Sequence, residues 1–367
     1  METRLKKEDS MALKGVAILL MVFHHCYRSA EKFEGYDIIF TPFRETWIVQ
    51  YGMYAKICVS IFAFVSGYGL MSGYGKLLKK DNPRNVTKWV GNHIISTMSG
   101  YWFVAPICYL VYGIIYGFEF AKWGESRFEK LFYIFLDCIG VSGILDTKSL
   151  NGTWWYIGAA VIFIAAVPIL VALMERFGVL ECLLGLFCFP RIMGLGFLGG
   201  RNGYSFLMIV LIGMLCCKYD LFAKYESWKP FQNQRMSQIF KIGLVLFLVV
   251  VGVWSSEKIK LSVLWEYKYA VIPFAVILFC VEYIFRIPFI KRVLTFLGKH
   301  SGNIWLTHTF VRDWLGNYIW SVKLFWAVPL IICGISIAVS LIINFLKKIT
   351  GYNTMIQKVL QCMEWGS

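Results

Sequence analysis

Lys14 and His25 lie in one apolar stretch near the start of the chain, Met11–Cys26, MALKGVAILLMVFHHC. A lysine can hold an anion, and an imidazole changes charge near neutral pH. The two are eleven residues apart. On a helix turning about 100° per residue, eleven steps return to within roughly 20° of the starting face and rise about 16 Å, near half the hydrocarbon thickness of a bilayer. The spacing therefore places a cation near one membrane surface and an imidazole deeper in, on one face. Ionisable groups inside a span are costly, and such a pair is a functional candidate by default. His24 lies about 100° off that face and is expected to hydrogen-bond a neighbouring helix. Lys14 has a plainer reading too, as an anchor that snorkels to the interface.

The element that carries the pair belongs to a membrane protein. Hydrophobic residues make up 58% of the 367-residue chain, and charged residues only 16%, where a soluble domain carries about 25%. Mean hydropathy is +0.61. The first apolar segment holds Lys14, His24 and His25 and lacks a small-residue cleavage site, so it reads as a retained helix rather than a signal peptide. The 11 cysteines contain no CxxC pair, which argues against a disulfide framework or a metal site. By the rule of about 20 apolar residues per crossing, the sequence predicts an all-α protein of ten spans near 12–28, 48–74, 94–117, 154–174, 179–198, 203–219, 239–255, 265–285, 296–316 and 324–346. Leu131–Leu145 is apolar but short and contains Asp137, which suits a re-entrant or interfacial segment. No stretch is long enough for a soluble domain, and residues 1–367 read as one membrane-embedded domain.

With the N-terminus placed in the cytoplasm, 22 of the 37 basic residues fall on the inner side. The bias follows the positive-inside rule and predicts both termini cytoplasmic in a multi-pass plasma-membrane protein. The net charge of +15 then reflects topology and an anionic leaflet. Basic residues scattered among short loops argue against nucleic acid as a partner; the lipid bilayer is the expected one.

Four motifs follow in order. Lys14-Gly-Val-Ala through His25 resembles the first-helix motif of the membrane acyltransferase-3 family, Arg-Gly-Ile-Ala with a histidine eleven positions after the arginine. Val59-Ser-Ile-Phe-Ala-Phe-Val-Ser-Gly-Tyr68 resembles that family's second-helix signature. Trp154-Trp-Tyr-Ile-Gly through Pro168 is similar to its Trp-Tyr-Leu…Pro span. Phe296-Leu-Gly-Lys-His-Ser301 through Trp305-Leu-Thr-His308 is similar to its C-terminal Leu-Gly-x-x-Ser…His segment. The resemblance covers most of the chain. It implies an integral-membrane enzyme that moves an acyl group, usually acetyl, from a cytoplasmic acyl-CoA to a hydroxyl of a surface polysaccharide or lipid-linked glycan. No permanently bound cofactor is implied; acetyl-CoA or another acyl-CoA is a donor substrate.

Carried over by position, His25 is the catalytic histidine, a general base toward the acceptor hydroxyl, and Lys14 stands at the arginine's place, toward the donor phosphates. His308 either faces His25 in the site or ties two helices together. The third span departs from the family: its arginine cluster and proline are absent, and Lys88 and His93 remain there as candidate donor-binding cations. Ala159 and Ala160 occupy the region where some members carry an acidic pair. Ser60, Ser66 and Tyr68 are substrate-binding candidates, with close helix packing as the alternative for the serines. Trp154 and Trp155 form either a sugar-stacking platform or part of an aromatic belt. Lys56, within the second span, is a cavity candidate without an assigned partner. Two other functions stay open: a transporter or flippase of a glycan precursor, and a structural subunit of a surface-polysaccharide complex.

Overall fold

A computed structural model describes residues 4–78, 84–118, 123–195, 202–256 and 264–365. Two of the 22 basic residues assigned to the inner side, Lys79 and Lys80, lie outside the described residues, as does the tail of the span expected at 179–198. The described chain is all-α: α1 (Lys7–Tyr27), α2 (Glu45–Tyr54), α3 (Cys58–Leu78), α4 (Arg84–Tyr116), α5 (Arg127–Cys138), α6 (Trp155–Phe177), α7 (Val179–Ile192), α8 (Leu207–Tyr219), α9 (Leu221–Ser227), α10 (Gln234–Ser256), α11 (Ile272–Glu282), α12 (Pro288–Lys299), α13 (Ser301–Trp314), α14 (Gly316–Trp320), α15 (Ala327–Ile349) and α16 (Tyr352–Trp365).

Among the described residues, seven helices are long and apolar enough to cross a membrane. An eighth crossing is made if α8 and α9, bent by 65°, count as one broken span. Besides 203–219, which is the bent pair, two more of the ten expected spans are not single long helices. Near 179–198, α7 has only 14 residues and contains Pro190. Near 296–316 the helix breaks at His300, between α12 and α13. Hydropathy windows count apolar length but do not detect a break, which a bundle tolerates where neighbouring helices cover the freed backbone groups. At about 18 Å, the 12-residue α5 is too short to cross as a helix.

The central helix is α1, which packs against α2, α3, α11, α12, α13 and α15. It begins five residues before the expected 12, so Lys14 lies two turns inside and His25 lies in the last turn. Asp9 at the third helical position accepts the backbone N–H of Lys6 (2.9 Å), which fixes the start. Ion pairs then tie this end of α1 to its neighbours: Lys291 to Asp9 at 2.8 Å, Arg4 to Glu226 at 2.7 Å, and Arg286 to both Glu226 and Glu282. The N-terminus, α9 and the start of α12 thus share one end of the bundle. At the far end, Tyr36 donates to Asn317 (2.9 Å), Lys323 pairs with Asp37 (3.0 Å), and Ile39 bridges to Leu324.

Glycines set two of the helix contacts. A Cβ at Gly15 would strike the Leu294 carbonyl, and one at Gly298 would strike the Met11 carbonyl, so α1 and α12 touch backbone to backbone. Gly67 against Val210 and Gly213 against Phe64 do the same for α3 and α8. The glycines of three of the four sequence motifs thus have packing roles. Gly67→Ala is therefore expected to destabilise by about 1–3 kcal/mol, while Gly69→Ala, two positions away and facing open space, leaves the thermal midpoint in detergent unchanged.

Candidate active site

A cavity of about 650 Å³ opens between α1, α3, α4, α6, α13 and α15, with the loop 150–153 on one wall. Both Lys14 and His25 line it, so the shared face expected from their spacing is present. Ser66, Trp155 and Lys56 line it too.

The end of α1 explains why its two adjacent histidines differ. His24 is buried, and its Nδ1 donates to the Gly52 carbonyl at 2.8 Å, tying α1 to α2. The His25 ring makes no hydrogen bond to a described residue and faces the cavity. Its backbone carbonyl accepts from Arg312 Nη1 at 2.9 Å, a cation on one of the open carbonyls that end a helix. Arg312 in turn grips Asp313 through Nε and Nη2, both at 2.7 Å. Arg28 and Lys56 add positive charge at this end of the cavity. The effect reaches Lys32, beyond the end of α1: burial, then Arg312 and Arg28, hold its ammonium pKa below the ordinary value.

His308 sits behind His25, with ring centroids 5.0 Å apart. It is buried, and its Nδ1 lies 3.1 Å from the Ile304 carbonyl and 2.9 Å from that of Trp305. Carbonyl oxygens only accept, so Nδ1 carries a proton, and in the neutral ring Nε2 is then the acceptor. That Nε2 is buried with no partner among the described residues. A neutral imidazole with one nitrogen committed and the other open beside His25 is suited to orient the His25 ring.

The remaining candidates lie away from the cavity. Ser60 is fully buried and does not line it. Tyr68 donates to the Leu5 carbonyl at 3.4 Å, near the start of α1. Trp154 donates to the Leu306 carbonyl at 3.1 Å and packs edge-on to Tyr101. His93 donates to the Trp89 carbonyl of its own helix (2.8 Å) with its ring against Trp89, and neither it nor Lys88 lines the cavity.

Several lining residues escaped sequence reasoning. Lys299 and Lys347 read only as topological charges, although Lys299 lies inside the fourth motif. Arg312 had a usable signal, four residues after His308 on the same helix face. Asn151 had none: it reaches across 158 positions to donate to Thr309 at 2.6 Å.

Long apolar helices closed around a histidine-bearing, cation-lined cavity define an integral membrane protein with a candidate reaction chamber. A family model described as an acyltransferase domain, acyltransferase-3, matches residues 10–345, nearly the whole chain. The chain belongs to the acyltransferase-3 family, and is a membrane acyltransferase. No curated protein and no solved structure matches it.

Proposed function

We propose that this acyltransferase takes an acyl group, acetyl in the first instance, from a cytoplasmic acyl-CoA and places it on a hydroxyl of a surface polysaccharide or lipid-linked glycan. His25 acts as general base. Its ring removes the hydroxyl proton as the oxygen attacks the thioester carbonyl; the C–O bond forms, the C–S bond breaks, and the thiolate of CoA takes the proton back from His25. His308 is a positioning residue: its Nε2, open in this structure, takes an N–H of His25 once substrate is bound and so fixes its tautomer. Trp155, on the cavity wall, offers a face for the sugar ring. The observation that carries the reading is His25 on a cavity wall it shares with Lys14, its ring uncommitted to the fold and backed by an open imidazole nitrogen.

The same reading puts both termini in the cytoplasm of a plasma-membrane protein. The ion-paired end of the bundle gathers Arg4, Lys291 and Arg286, which belong to the basic-rich side of the sequence. Mass spectrometry of surface glycans from cells with and without the gene tests the function. An acyl-ester mass present only with the gene is expected. Export lost while the remaining glycan keeps its ester would point to a transporter instead, and unchanged ester content would overturn the reading.

A further inference from the structure

The charges around the cavity are lopsided. Six basic side chains line it, Lys14, Arg28, Lys56, Lys299, Arg312 and Lys347, against one carboxylate, Asp313. That carboxylate is engaged by Arg312, at the His25 end.

Three of the cations come from three helices, Lys14 from α1, Lys299 from α12 and Lys347 from α15. Gly298 packs against the backbone of Met11 and Gly15, which sets its neighbour Lys299 level with Lys14. Asn303, one turn into α13, donates to Asn344 of α15 at 3.0 Å. Lys347 lies one turn beyond Asn344, toward the end of α15. Its Nζ sits 5.6 Å from the Phe103 ring and 3.9 Å from where a Cβ on Gly100 would stand, so it leans toward α4 across the cavity wall. None of the three lysines forms an ion pair with a described residue. Three ammonium groups on the walls of one cavity are costly to take out of water, and the one lining carboxylate, held by Arg312, does not pair with them.

We propose that Lys299 and Lys347, with Lys14, hold the phosphates of the acyl donor, in place of any residue on α4. The inference rests on the acyl-CoA reading above. The ligand it calls for is a multiply charged phosphate head that carries its reactive carbonyl on a long arm, because Lys14 and His25 are about 16 Å apart along α1. CoA has that form, with phosphates at one end of a pantetheine arm and the thioester at the other. Ammonium groups are compact point charges that grip phosphate without a bidentate match, so lysines can do here what a cluster of arginines would do elsewhere. The α4 candidates are unsuited: His93 is committed to Trp89, and neither it nor Lys88 reaches the cavity.

The test uses the full-length protein in nanodiscs. CoA binding is measured by calorimetry, and acyl transfer is measured from two donors, acetyl-CoA and the phosphate-free acetyl thioester of N-acetylcysteamine. The double variant Lys299→Gln/Lys347→Gln is expected to bind CoA about tenfold or more weakly while using the phosphate-free donor as well as the wild type does. Lys299→Arg/Lys347→Arg is expected to retain binding, as is Lys348→Gln, a neighbouring charge outside the cavity. Wild-type binding that the glutamine pair leaves unchanged would overturn the inference and leave the acyl-CoA reading standing. Equal loss with both donors would also overturn it, because the damage would then not concern phosphate. A wild-type protein that binds no CoA would overturn the acyl-CoA reading itself.

Discussion

Alanine at His25 is expected to lower acyl transfer by about 10²–10⁴-fold, the usual contribution of a positioned general base, with little change in protein level or thermal midpoint. The fold gives the reason for the second half. The ring of His25 hydrogen-bonds no described residue, and what Arg312 grips is the backbone carbonyl, which alanine keeps. His24→Ala should behave the other way. It removes the 2.8 Å bond that joins α1 to α2, costs roughly 1 kcal/mol of stability, and spares most of the activity. Paired assays of transfer and unfolding on the two variants separate these roles. If both lost stability equally, or if His24→Ala were the inactive one, the division of labour would be wrong.

The largest expected effect on stability comes from Asp137→Ala. Asp137 is fully buried. One carboxylate oxygen accepts from Tyr109 and from the Leu150 N–H, both at 2.7 Å, and the other accepts from Ser142 at 2.6 Å. The backbone carbonyl of Asp137 takes Tyr101 as well. This one side chain therefore pins α5 to α4 and to the loop that begins at Leu150. Alanine would remove three buried hydrogen bonds, each to a strong carboxylate acceptor, at about 1–3 kcal/mol each. The loop then loses its anchor, and Leu150, Asn151 and Thr153 line the cavity. A marked fall in the midpoint measured in detergent, accompanied by lost transfer, is expected. An unchanged midpoint would show that the carboxylate holds nothing.

Much of this arrangement is legible in the sequence, because a helical period is local information. The Lys14–His25 face follows from spacing alone. Asp137 illustrates the limit: in a hydropathy profile it interrupts an apolar run, and only the fold shows that Tyr109, Ser142 and Leu150 converge on it. The break at His300 is hidden for the same reason, since the interruption is a matter of backbone geometry; the span expected at 296–316 is not among the helices long and apolar enough to cross. Lys299 and Lys347 carry no local mark that separates them from charges that merely fix topology, and what distinguishes them is their position across from Lys14. The third-span candidates show the reverse error. Lys88 and His93 have suitable side chains, but α4 presents neither to the cavity.

The central claim, acyl transfer from a CoA thioester with His25 as base, is tested most directly with radiolabelled acetyl-CoA. Membrane vesicles carrying the wild-type protein or His25→Ala at equal level are incubated with it, and alkali-labile label in the glycan fraction is counted. Label is expected with the wild type and background with His25→Ala. Equal labelling by the two proteins, or no labelling by a folded wild type, would contradict it.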